Sequence, residues 1–355
     1  MNGKAIHRTV AMLLAEQVKG TKTPILVAIA AVGLSMAGCD RAKDPVYDGA
    51  GTPGLAFVRH YHVRECEDEE FEIIVTVTYE VTGFTGSARN VVIPALHNGY
   101  PVVRIGNRAF EERNLTGVSI PDGIATIGDL AFAGNRLSAV TIPGGVTSIG
   151  RSAFERNQLT AVGIPDSVAT IGNLAFSHNR LTAVSIPVGV SSIERLTFAN
   201  NRIAGVDIPT GVTYIGYRAF ADNRLSAVSI PDGVTHIGHR AFENNLLVSL
   251  SVPNSVTSIG QSAFERNHIA SVTIGTSVSS IGDRAFAQNQ LTNVVIPGSV
   301  AAVGRWAFAW NPTLETVRIP FASRTIADRA WRTGWRADMG VAVIVINNAG
   351  VPVTH

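Results

Sequence analysis

The residues whose types could do chemistry are few and scattered. His60, His62 and Cys66 stand as H-x-H-x-x-x-C, three potential donors to a zinc ion. A closed tetrahedral site needs four ligands, and no fourth donor accompanies them, so no metal is assigned. The acidic run Glu65 to Glu72 (E-C-E-D-E-E-F-E) offers oxygens to calcium. It lacks the alternating ligands and central glycine of an EF-hand loop and reads as a solvated acidic face. The nine histidines do not recur in register, and His236 and His239 flank an inward Ile237, which places both on the surface. No G-x-S-x-G, phosphate-binding loop, H-E-x-x-H or paired-cysteine motif occurs. No catalytic residue, metal or cofactor is expected, and the chain reads as a non-enzyme.

What does recur is a framework. Phenylalanine returns at Phe110, Phe132, Phe154, Phe176, Phe198, Phe220, Phe242, Phe264, Phe286 and Phe308, a period of 22 residues held ten times. A fixed period of this length indicates stacked repeats. One unit reads L-T-x-V-x-I-P-x-x-V-T-x-I-G-x-x-A-F-x-x-N-x. In L-x-x-V-x-I the valine and isoleucine sit two apart, facing one side of a short strand. The proline that follows has no amide donor and ends the strand. The V-T-x-I segment admits either a second short strand or a turn of 3-10 helix, and its β-branched content favours the strand. The A-F pair is expected to enter the core from a single helical turn. The glycine at Gly106, Gly128, Gly150 and their equivalents serves a left-handed residue or a close approach between coils. Glu194 replaces it once, which favours the packing reason.

Asparagine recurs at Asn135, Asn157, Asn179, Asn201, Asn223, Asn245, Asn267, Asn289 and Asn311. A polar residue kept in every coil predicts a buried ladder in which each amide satisfies backbone groups of the adjacent turn. The first unit has Arg113 there and Asn114 after it. Arginines Arg136, Arg180, Arg202 and Arg224 follow the asparagine and stack in a column interrupted by Gln158. Such a column can engage carboxylates or sulfated glycans, or pair with Asp222, Glu155 and Glu243. The tryptophans, Trp306, Trp310, Trp331 and Trp335, read as an end cap over the last coil, with a recognition surface as the alternative.

The remaining segments frame the repeats. Apolar residues make up 46% of the 355-residue chain and charged residues 16%, with a net charge of +2. That balance gives no reason to expect nucleic acid as a partner. Residues 1–38 read as a targeting segment: Lys19 and Lys22 precede the apolar run Ile25 to Leu34, which is too short to span a membrane. Ala37 and Gly38 before Cys39 resemble the bacterial lipoprotein cleavage box, which would make Cys39 the lipidated residue. Residues 39–56 read as a flexible tether rich in Gly, Pro and charge. Residues 57–100 form a β cap with a strand near Ile73 to Val81 and another at Val91 to Ile93. Repeats fill 101–320, and 321–355 make a C-terminal cap with a final strand at Val341 to Ile346.

The pattern L-x-x-V-x-I-P with V-T-x-I-G-x-x-A-F resembles the leucine-rich repeats of BspA-like bacterial surface proteins, treponemal members included. The segments Thr82 to Pro94 and Gly99 to Phe110 resemble the opening of that family's repeat domains. The resemblance implies a repeat solenoid, mainly β: a leucine-rich-repeat right-handed superhelix with a parallel β ladder and terminal caps. It further implies a surface adhesin that binds other macromolecules; together with the lipobox-like Cys39 and the tether, the chain reads as a lipid-anchored protein of the bacterial cell envelope. Its partners would be a protein or glycan, in host extracellular matrix or on another cell surface. The other reading is a periplasmic scaffold that organises envelope proteins, toward which Asp40 beside Cys39 leans as a retention signal.

Overall fold

The structure, a computed structural model, describes residues 51–66, 72–319 and 344–347. Cys39, the apolar run before it, the acidic residues 67–71 and the segment carrying Trp331 and Trp335 lie outside the described residues. What is described is a parallel β solenoid of about eleven turns, and it contains no helix.

The first described element is a long hairpin, β1 (Leu55–Cys66) against β2 (Glu72–Phe84), paired antiparallel with a bulge at Ala56/Phe57. The far edge of β2 then pairs parallel with β5 (Tyr100–Ile105), so the hairpin lies against the first coil and continues into its sheet. Strand β1 is absent from the expectation above, which placed residues 39–56 in a tether and no strand before Ile73. Between β2 and β5 come β3 (Asn90–Val92) and β4 (Leu96–His97).

Each coil then repeats one path. The V-T-x-I segment forms a two-residue strand, and these make the longer ladder. Strands β7 (Thr126–Ile127), β8 (Ser148–Ile149) and β9 (Thr170–Ile171) extend the sheet that starts at β1. A separate sheet of six runs from β11 (Ser192–Ile193) through β13 (Tyr214–Ile215), β14 (His236–Ile237), β16 (Ser258–Ile259) and β18 (Ser280–Ile281) to β20 (Ala302–Val303).

The L-x-x-V-x-I strands form the second ladder in pieces. Strand β3 pairs β6 (Gly117–Ser119), and β10 (Ala183–Ser185) pairs β12 (Gly205–Asp207). Strands β15 (Ser249–Ser251), β17 (Ser271–Thr273), β19 (Asn293–Val295), β21 (Thr316–Ile319) and β22 (Ile344–Asn347) run as one sheet. Proline after the isoleucine removes the next amide donor, which keeps these strands short.

The A-F corner is not the helical turn that the sequence suggested. The amide of Phe110 donates to the carbonyl of Ala131 in the next coil at 2.8 Å, and Phe132 to Ala153 likewise. The residues two before and two after the phenylalanine are left-handed, as at Arg108 (φ 59) and Glu112 (φ 55). A helical turn would close that amide within its own coil; the left-handed residues on either side aim it along the stack. Non-glycine residues in this region cost about 1 kcal/mol or more each, so the stacked bonds must hold them there.

The core is one column. Leucine, valine, isoleucine, alanine and phenylalanine of successive coils are buried together from Tyr79 to Ile319. The ten phenylalanine rings stack nearly parallel, with centroids 5.1–5.7 Å apart. Phe84 of β2 continues the column at its N-terminal end, 6.0 Å from Phe110 and tilted by 40°. A coil alone would leave both flat sides of this core in water, so its stability comes from its neighbours.

Candidate binding surface

Most of what repeats is used within the stack. In Asn223 the side-chain oxygen accepts from the Ile203 amide at 3.0 Å, and the nitrogen donates to the carbonyls of Phe198 at 2.9 Å and Phe220 at 3.1 Å. The same set recurs at every asparagine from Asn135 to Asn311, and all nine are buried. These amides point inward, away from any partner.

A second side-chain ladder escaped the sequence reading. The residue after the repeat glycine accepts a hydrogen bond from the backbone amide at the same position one coil later. Asn107 accepts from Asp129, Asp129 from Arg151 and Asp283 from Arg305, each at 2.8 Å, and His239 accepts from Gln261 at 3.0 Å. Asparagine, aspartate and histidine share only an acceptor atom, and alternating them with arginine hides the pattern from a residue-type comparison. His236 and His239 are both exposed.

The glycine of V-T-x-I-G is a close approach. A Cβ at Gly260 would stand 2.6 Å from the backbone of Gly238, and one at Gly282 2.5 Å from that of Gln261. None of these glycines is left-handed. Where Glu194 stands instead, the two sheets of the longer ladder part between β9 and β11. Elsewhere each coil makes two bonds there, as Thr213 to Ser191 and Gly216 to Ile193. The corresponding bonds from Ser191 and Glu194 to the coil before are missing.

Charged groups cluster between residues 218 and 243. Arg218 lies 2.6 Å from Asp222 and 3.7 Å from Glu243, and Arg240 approaches Glu243 at 4.0 Å. The Nε of Arg218 and the Oε2 of Glu243 are buried without a hydrogen-bond partner. Burial pushes the Glu243 carboxyl above the ordinary carboxylate range, against the pull of Arg240 and Arg218. For Arg218, burial works against the charge, but the hydrogen bond to Asp222 and the charges of Asp222 and Glu243 outweigh it and hold the guanidinium above its usual value. No group of three or more metal-ligating side chains occurs among the described residues. At the N-terminal hairpin His97 stacks on Phe57 at 3.9 Å with Tyr79 edge-on, and burial, aided by Arg59, lowers its proton affinity.

The arginine column is placed apart from that cluster. Arg136, Arg180, Arg202 and Arg224 are exposed, and their backbone amides donate to Leu115, Leu159, Leu181 and Ile203 of the preceding coils. None of their guanidiniums makes an ion pair or side-chain hydrogen bond among the described residues. The acids expected to neutralise them are engaged by others: Asp222 and Glu243 by Arg218, and Glu155 by Arg156 at 3.6 Å. The guanidinium of Arg284, from the coil before, lies over Trp306 and Trp310, at 5.0 and 5.6 Å from the ring centroids.

A family model described as the BspA-type leucine-rich-repeat region matches residues 103–226 and 213–333 in six copies, more than half of the chain. The chain belongs to the BspA-type leucine-rich-repeat family. Among curated proteins none matches it. Solved structures similar to it include a leucine-rich repeat protein from Bacteroides ovatus, 22% identical over 81% of this chain and 98% of that one, with a TM-score of 0.40. A leucine rich cell surface protein from Faecalibacterium prausnitzii is 24% identical over 84% and 95%, at 0.44. The pneumococcal vaccine antigen PcpA is 17% identical over 77% and 82%, at 0.49. For a BspA-type repeat the chemistry on offer is that of a binding scaffold: nearly every repeated polar group is engaged by the neighbouring coil, and the outward positions carry the variation.

Proposed function

We propose that this is a lipid-anchored, extracytoplasmic repeat protein that binds macromolecules by surface contact, as an adhesin does. The observation that carries this reading is the division of labour in the coil. Residues kept from unit to unit face the core or bond to the next coil, while the outward strand positions present small side chains such as Ser185, Ser249 and Thr273 over a long, open surface. Such a surface suits an extended partner rather than a small molecule, which binds in a concave cleft. Cys39 with Ala37 and Gly38 before it supports anchorage through a lipid on that thiol. Protease treatment of intact cells tests the reading: degradation of the repeats without lysis is expected, and full protection would overturn surface display. Labelling with a lipid precursor should disappear in Cys39→Ser. Protection together with retained labelling would instead favour the periplasmic scaffold, the reading toward which Asp40 leans.

A further inference from the structure

Four of five consecutive coils carry an arginine at one repeat position. Arg136, Arg180, Arg202 and Arg224 hold the position after the buried asparagine, and in the coil where Gln158 interrupts them, Arg156 stands one residue before Asn157, where the coil of Arg224 has Asp222. Stacking is in register, because Arg180, Arg202 and Arg224 each donate a backbone bond of 2.9 Å to the preceding coil one residue after its own equivalent arginine or glutamine, at Leu159, Leu181 and Ile203. Four of the five guanidiniums are unpaired among the described residues, and Arg156 shares Glu155 at 3.6 Å with 73% of its side chain exposed. Holding like charges one coil apart without counter-ions is unfavourable, and an anionic ligand would relieve it. The outward neighbours of the rank, Thr160, Thr182, Ala204 and Ser226, are small and exposed, so a chain can lie against the rank without steric conflict. The rank stops where Leu246, 42% exposed, takes the next position.

The repeat distance selects among anions. The phenylalanine rings set the step between coils at 5.1–5.7 Å. An extended acidic peptide presents same-face side chains about every 6.7 Å and slips by nearly a whole coil over the length of the rank. Phosphates of duplex nucleic acid wind around the helix axis and leave a straight rank, and the chain's net charge of +2 gives no general attraction. In a linear polysaccharide with sulfates or carboxylates along its length, one sugar residue advances by about one coil, and rotation about the glycosidic bonds lets charged groups turn toward the rank. Guanidinium groups bind sulfate and carboxylate oxygens through paired N–H donors.

We infer that this corner binds a linear anionic polysaccharide, sulfated or uronate-bearing, laid along the solenoid axis. The inference rests on the surface-binding reading above and names the class of ligand for it. The test uses the purified full chain with three probes of matched charge: a size-fractionated heparin oligosaccharide, an oligogalacturonate and poly-glutamate. One or both saccharides should bind more tightly than poly-glutamate. Combining Arg180→Gln, Arg202→Gln and Arg224→Gln should weaken saccharide binding at least ~10-fold and flatten the logarithmic salt dependence by about 2. The charge-matched combination of Arg89→Gln, Arg305→Gln and Arg318→Gln, exposed elsewhere, should leave both within about twofold of the unmodified chain. Equal losses in the two variants, no loss in the first, or poly-glutamate binding as tightly as both saccharides would overturn the inference. Which saccharide binds identifies sulfate or carboxylate as the recognised group. Binding in solution is independent of where the protein resides, so failure here with repeats still cleaved on intact cells removes the site and leaves the surface reading standing. Binding here with full protection on cells does the reverse.

Discussion

The side-chain nitrogen of Asn223 lies 2.9 Å from the carbonyl oxygen of Phe198, 25 residues earlier and one coil away. The same amide accepts from Ile203 and donates to Phe220 and Ala221, so one side chain satisfies four backbone groups across two coils. Asn223→Ala leaves those groups buried and short of partners. It should cost about 3 kcal/mol in urea unfolding, whereas Arg202→Ala on the surface should stay within about 0.5 kcal/mol. Comparable losses in the two variants would show that the ladder contributes little.

The phenylalanine column predicts a second cost. Phe220 stacks between Phe198 and Phe242, with centroids at 5.6 and 5.4 Å, and is fully buried. Phe220→Ala opens a cavity in the middle of the solenoid and should cost about 3–5 kcal/mol, with Phe220→Leu losing less. The midpoint of a denaturant titration followed by circular dichroism reads this directly.

The parting of the longer ladder at Glu194 should be repairable. Glu194→Gly permits the two missing bonds, each contributing about 0.5–1.5 kcal/mol, offset by about 0.5–1 kcal/mol for the freedom of glycine in the unfolded chain. The expected result is a gain of about 1 kcal/mol and slower hydrogen exchange at the amides of residues 191 and 194. The converse, Gly260→Ala, drives a methyl group to 2.6 Å from Gly238 and should cost about 1–3 kcal/mol.

Glu243 makes stability depend on pH. Burial raises its proton affinity in the folded state, so the folded chain binds the proton more tightly than the unfolded chain. Its contribution is complete below the ordinary carboxylate value of 4.5 and declines as pH rises through the higher folded value. Glu243→Gln should flatten that decline and raise the melting temperature at neutral pH relative to the unmodified chain. A variant with the same pH profile would mean that the carboxyl is well solvated.

The sequence by itself determined the period, the inward apolar positions of each coil, the strand-ending proline and the recurring polar residue at Asn135 to Asn311. All of these are visible because a core position admits few residue types and every coil imposes the same choice. It determined the repeat family for the same reason. Tertiary structure decided what residue type does not encode. Left-handed backbone falls on Arg108, Leu130, Ser152 and Trp306 alike, because the bonds to the adjacent coil impose it whatever the side chain. The acceptor ladder through Asn107, Asp129 and His239 needs only an oxygen or nitrogen at the right place, and its members share no name. Strand β1 is set by pairing with β2 across the hairpin, a contact that its own residues do not announce. The freedom of the arginine rank has two sources: Asp222 and Glu155 pair with Arg218 and Arg156 of their own coils, and only the stacking of coils brings Glu243 to Arg218.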